Sequence, residues 1–157
     1  MKLAPRALPE LLAGRRIASV TGTNGKTTTT HFLTAAVRAE TPDGQRSVVT
    51  NADGANLHHG IVSALGQAPD ATIAVLETDE RVVADVVAMG SPEVLVLLNF
   101  SRDQLDRNHE LTFLGRDWRV ALEKAAERGP TVVANACDPL IVWVCQKARQ
   151  VIWVDTK

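Results

Sequence analysis

Val20-Thr21-Gly22-Thr23-Asn24-Gly25-Lys26-Thr27-Thr28-Thr29-Thr30 joins an apolar strand candidate, Ile17–Val20, to a helix candidate, Thr28–Arg38. The turn between them is built to hold the phosphates of a nucleotide. Gly22 and Gly25 let the backbone curl so that several N–H groups point inward, and they let an anion come close. The helix that follows presents its unpaired N-terminal N–H groups and the positive end of its dipole to the same anion. Lys26 adds a flexible point charge, and the Thr27 hydroxyl can ligate Mg²⁺. Gly22, Thr23, Asn24, Gly25, Lys26, Thr27 and Thr28 are therefore the expected phosphate-binding set. The standard P-loop has four residues between its glycines, whereas here only Thr23 and Asn24 stand between Gly22 and Gly25. A glycine-containing turn with a chance lysine is the plain alternative, and the flanking strand and helix argue against it.

Around this turn, short apolar runs alternate with helix-like segments. Strand candidates are Ile17–Val20, Ser47–Thr50, Thr72–Glu77, Val94–Asn99, Thr131–Ala134 and Val151–Val154. They are rich in β-branched residues and apolar on both faces, as strands of a covered parallel sheet are. Helix candidates are Thr28–Arg38, Ile61–Leu65, Glu80–Met89, Leu114–Arg128 and a last helix from Pro139 toward Ala148. Val82, Val83, Val86 and Val87 share one face, and Leu114, Trp118, Ala121, Leu122 and Ala125 share another. Gly129-Pro130 separates helix from strand. The expected fold is α/β, a P-loop-type doubly wound, mainly parallel sheet with ligands at the C-terminal strand edge.

The bulk composition is that of one globular domain. The chain has 157 residues, 45% hydrophobic and 22% charged, with a formal net charge of −1. No basic patch argues for nucleic acid and no long apolar run argues for a signal peptide or a membrane span. Cys137 and Cys145, with seven residues between them, fit neither a zinc knuckle nor a disulfide framework. Both are expected to be buried free thiols in a reducing cytosol. The three tryptophans, Trp118, Trp143 and Trp153, are expected to pack in the core or at its rim.

Chemistry is expected beyond the loop. The strand Ile73–Leu76 ends at Glu77, and a carboxylate there belongs to a Mg²⁺ ligand or a water-positioning group. Thr78, Asp79 and Glu80 suit the start of a helix. Lys26 and Glu77 are thus the candidate catalytic residues, and Thr27 and Glu77 the candidate metal ligands. The polar run Asn99–Arg107 leaves the next strand toward the same crevice. The loop Thr50–Asn56 suits tight turns and substrate contacts equally. His58, His59 and His109 have no partner at metal-ligand spacing and are expected at the surface or in loops.

Four stretches together resemble the ATP-binding central domain of the Mur ligase superfamily: TGTNGKTTTT at 21–30, LETDE at 76–80, NFSRDQLDR at 99–107 and VANACDP at 133–139. In the last of these Cys137 replaces an aspartate. Within the superfamily the likeness is to the MurT branch, the synthetase subunits of lipid II isoglutaminyl synthase. Three features carry it. About fifteen residues precede the loop, Gln104 stands where most Mur ligases have a metal-binding histidine, and Trp118 and Arg119 occupy the stretch of their carbamylated lysine, with Lys124 a poor substitute. The loop NADGANLHHG at 51–60 is also similar to that branch.

The resemblance implies a cytoplasmic, ATP- and Mg²⁺-dependent amide ligase. It would amidate the α-carboxylate of D-glutamate in lipid II through an acyl phosphate, with ammonia from a GatD-type glutamine amidotransferase, in peptidoglycan synthesis. Residues 1–15 would be a lead-in segment and 16–157 an incomplete central domain. The adenine contacts, a zinc ribbon and the ligase C-terminal domain are expected beyond Lys157, so the isolated chain is expected to be inactive. An amino-acid-adding Mur ligase or a folylpolyglutamate synthase-like ligase is the alternative within the class. A non-catalytic nucleotide-binding module is the alternative outside it.

Overall fold

The computed structural model describes residues 6–51, 55–100 and 108–155. The polar run 101–107, with Gln104, and residues 52–54 of the second polar loop lie outside the described residues, as does the side chain of His109. Among the described residues six strands form one sheet: β1 (Arg16–Thr21), β2 (Val48–Thr50), β3 (Ile73–Glu77), β4 (Val94–Leu97), β5 (Thr131–Asn135) and β6 (Gln150–Val154). Their order is β2-β3-β1-β4-β5-β6, and every neighbouring pair is parallel. The chain leaves β1 in one direction for β2 and leaves β3 in the other for β4. The turn after β1 therefore lies where the winding reverses, the ligand crevice of such sheets.

Among the described residues there are seven α-helices, of which α1 precedes the sheet and the others lie between strands: α1 (Ala7–Leu12), α2 (Lys26–Glu40), α3 (Gly44–Ser47), α4 (His58–Gln67), α5 (Val83–Gly90), α6 (Asn108–Ala125) and α7 (Pro139–Cys145). One face of the sheet carries the main core. Ile17, Ala74 and Leu76 pack there against Leu12, Ile61, Leu65 and Val86 from α1, α4 and α5. Leu95, Leu97, Val132 and Ala134 pack against Val83, Val87, Trp118, Leu122 and Ile141 from α5, α6 and α7. The other face is covered by α2 over β1, β2 and β3.

All six predicted strands are present, within a residue or two of their expected ends. Differences from the sequence reading have local causes. The lead-in contains α1, because Leu8 and Leu12 are buried against the main core and supply the apolar stripe that a short helix needs. The helix expected from Glu80 begins three residues later, at Val83, because Asp79 turns the backbone: its carbonyl accepts from Val82 N at 2.9 Å and its carboxylate from Arg81 N at 3.0 Å. Strand β6 is an edge, with Ile152 50% and Trp153 47% exposed, so it is not covered on both faces as expected. Cys145 is buried as expected, but Cys137 is exposed, because it lies in the loop after β5. His58 opens helix α4, where its ring nitrogen meets Asp85 at 2.8 Å. Among the described residues no helix is long and apolar enough to cross a membrane.

Candidate functional site

The loop after β1 adopts the conformation its glycines permit. Gly22 has φ +140° and Gly25, the residue before α2, has φ +84°. A Cβ on Gly22 would stand 2.8 Å from Leu98 Cβ and 2.9 Å from Asn99 N, so only glycine lets the loop lie this close to the end of β4. Asn99 grips the loop from that side. Its carbonyl accepts from Thr23 N at 2.9 Å, its side-chain oxygen from Asn24 N at 3.0 Å, and its amide donates to Asn24 O at 3.0 Å. No side chain caps α2. Its first-turn N–H groups have no intrahelical partner, and Thr27 and Thr28 are exposed beside them.

Lys26 is held over the loop. Its Nζ donates to Gly22 O at 2.5 Å and to Thr23 O at 3.3 Å, and it lies 3.6 Å from Glu80 Oε1. Both partners of that ion pair are largely buried, at 14% and 16% side-chain exposure. Glu80, expected only as part of a helix start, is therefore the counter-charge of the loop lysine. Its backbone is fixed by Trp118, whose indole Nε1 donates to Glu80 O at 2.8 Å. Asp79 is held below the usual carboxylate range, first by the Arg81 side chain.

Glu77 ends β3 directly beside the loop strand, in register with Val20. It is 2% exposed. Its Oε1 accepts from Asn56 Nδ2 at 2.8 Å, while Oε2 is buried and, among the described residues, has no hydrogen-bond partner. A buried, unpartnered carboxylate oxygen is costly unless a cation meets it. Glu77 thus fits a hard cation, and the glycine-lined loop fits an anion. The nearby hydroxyls of Ser19 and Thr78 satisfy each other at 2.7 Å.

The ends of β4 and β5 are tied together behind the loop. Asn135 Nδ2 donates to Leu98 O at 2.9 Å, and Asp138 accepts from Phe100 N at 2.7 Å while capping α7 through Leu140 N and Ile141 N. A cleft of about 270 Å³ opens beside Gly25 and Thr29 toward Val96, Val133 and Asn135. A larger apolar groove of about 470 Å³, beneath Ala36 and Val37 of α2, lies at the opposite, N-terminal ends of the strands, away from Lys26 and Glu77.

The structure brings together Gly22 to Thr28 with Glu77 at one strand edge. Glu80 was not expected at the site, Asn99 was expected there only as the start of the polar run 99–107, and neither Asn51 nor Asn56 was singled out. The last two lie in the Thr50–Asn56 loop that reads equally as turn and as site. Asparagine and glutamate placed just past strand ends were the available signal.

The Mur ligase middle domain profile matches residues 20–155. The chain is 33% identical over 127 residues to the lipid II isoglutaminyl synthase (glutamine-hydrolyzing) subunit MurT of Staphylococcus aureus strain COL, covering 80% of this chain and 28% of that one. It is 40% identical over 137 residues to the MurT subunit of Streptococcus pneumoniae strain R6, covering 85% of this chain and 29% of that one. MurF from Acinetobacter baumannii superposes with a TM-score of 0.67 at 18% identity, over 92% of this chain and 32% of that one, a likeness of fold. The chain spans less than a third of the length of these MurT relatives.

Proposed function

The chain belongs to the Mur ligase middle domain family, and from that premise we propose that it is the phosphate-binding part of a MurT-type amide ligase. Residues 16–157 form the first part of an ATP-binding central domain in this reading, and the loop from Gly22 to Thr28 cradles the triphosphate. Three observations support it: the uncapped start of α2, the positive φ angles of Gly22 and Gly25, and Lys26 poised above the loop. The observation that carries it is the buried, unpartnered Glu77 Oε2, one strand away from that loop.

Mg²⁺ would be held by Glu77 and the Thr27 hydroxyl, and when bound it would spread the charge of the transferring phosphoryl group. Lys26 leaves the Gly22 and Thr23 carbonyls to meet phosphate oxygens, releasing Glu80 as it moves. The loop amides and the helix start stabilise charge on those oxygens. The α-carboxylate of D-glutamate in lipid II attacks the γ-phosphorus, ADP leaves, and an acyl phosphate forms. Ammonia then attacks the acyl carbon, phosphate leaves, and a proton is lost from nitrogen, giving D-isoglutamine. The ammonia comes from a GatD-type glutamine amidotransferase in the cytoplasm, at the inner surface of the membrane that holds lipid II. The MurT names of the two relatives support this choice of acceptor and partner.

The test uses the full-length protein carrying this chain, with an amidotransferase subunit, lipid II, ATP and glutamine. Amidated lipid II by mass spectrometry, lost with Lys26→Ala, is the expected result. Transfer of a free amino acid in place of ammonia assigns the chain to the amino-acid-adding ligases. Full activity of Lys26→Ala supports a non-catalytic role for the domain.

A further inference from the structure

The loop after β2 reads as a turn, yet two of its asparagines, Asn51 and Asn56, both reach Glu77. Strand β2 pairs with β3 only as far as Thr50 opposite Val75. Beyond that point the side chain of Asn51 takes over the ladder. Its Oδ1 accepts from Glu77 N at 2.9 Å and its Nδ2 donates to Glu77 O at 2.9 Å, so both backbone groups of Glu77 are held by one buried amide. The orientation of that amide is fixed, since it meets a donor on one side and an acceptor on the other. The same Nδ2 donates to Ala55 O at 2.9 Å, closing the loop on itself. Asn56 then reaches the carboxylate: Nδ2 donates to Glu77 Oε1 at 2.8 Å, while its carbonyl accepts from Asp79 N at 3.0 Å. Gly60 of α4 lets this turn lie close, since a Cβ there would collide with Ala55 O.

A partner of Glu77 could have been cationic, and here it is not. An arginine or lysine would neutralise the carboxylate and compete with a metal ion. An amide orients one oxygen by a single hydrogen bond and leaves the negative charge for a cation at the other. The observed split, Oε1 tethered and Oε2 buried without a partner, is the arrangement this logic requires.

We propose that Asn51 and Asn56 are positioning residues of the metal–phosphate site. Asn51 fixes the backbone of Glu77, and Asn56 turns its carboxylate so that Oε2 faces the cation that accompanies the nucleotide. The proposal rests on the reading of Glu77 as the metal ligand. The test titrates the 157-residue chain and its Asn56→Ala, Asn51→Ala and Glu77→Gln variants with Mn²⁺ as the probe, with and without ATP, by water-proton relaxation. Asn56→Ala is expected to raise the half-saturating Mn²⁺ concentration about tenfold, the scale of one hydrogen bond to a charged group. Metal-free ATP binding should stay close to that of the parent, and the melting temperature should fall by several degrees, because Glu77 Oε1 loses its donor. Asn51→Ala is expected to expose the Glu77 amide to hydrogen exchange. Should this buried substitution prevent folding, Asn56→Ala carries the test alone. If Glu77→Gln abolishes the Mn²⁺ dependence while Asn56→Ala leaves it unchanged, or weakens Mn²⁺ and metal-free ATP binding equally, positioning is overturned and Glu77 keeps its role. If Glu77→Gln leaves the Mn²⁺ dependence intact, or the parent chain shows none, the metal-site reading falls and takes the proposal with it.

Discussion

Two residues of the loop make opposite demands on a substitution. Gly22 combines φ +140° with a backbone neighbour 2.9 Å from where a Cβ would sit. Gly22→Ala is therefore expected to lower stability by about 1–3 kcal/mol, the cost of one strained backbone position, read by thermal unfolding. Lys26 is held by loop carbonyls and by Glu80, whose largely buried side chain keeps 16% exposure through which water can reach the carboxylate once the lysine is gone. Lys26→Ala should leave the melting temperature within a few degrees and weaken ATP binding strongly, as read by calorimetry. Equal losses in both variants would mean that the loop is a structural turn. Burial separates the two thiols as well. It pushes Cys145 up to about 12, so at pH 8 this thiol is almost wholly protonated and inert. Alkylation at that pH should modify Cys137 alone, with Cys145 reacting only after denaturation, as read by peptide mass mapping.

At the scale of elements, the helices matter for what they hold in place. Helix α6 buries Trp118 and Leu122, and the Trp118 indole fixes the backbone of Glu80 facing Lys26. Trp118→Phe keeps the ring but leaves Glu80 O without its donor. A loss of about 1–3 kcal/mol is expected, with a weaker response of nucleotide binding than Lys26→Ala shows. The strands and long helices were legible because hydrophobic period and turn residues report them directly. The loop was legible for the same reason, as glycine positions carry backbone geometry. Glu80 was not, because a carboxylate after a strand looks the same whether it caps a helix or faces a lysine. Asn51 and Asn56 were read ambiguously, since asparagine suits a turn by its own chemistry. Only the register of β2 against β3 shows which backbone they grip.

Among the described residues, every candidate group of the molecule lies at one end of a single parallel sheet. In the proposed reading, binding is concentrated at the C-terminal edge and apolar packing lies beneath it. The lateral edge is less protected. Strand β6 exposes Ile152, Trp153 and Val154, and an apolar edge strand is a template for pairing. Sedimentation should show concentration-dependent self-association that Ile152→Lys reduces, while nucleotide binding at the other end of the crevice persists. The measurement closest to the central claim is a calorimetric titration of the chain with ATP, in Mg²⁺ and in a chelator. Saturable one-to-one binding that weakens in chelator and with Glu77→Gln, and disappears with Lys26→Ala, is the expected result. Binding that is indifferent to Mg²⁺, to Glu77 and to Lys26 would contradict it.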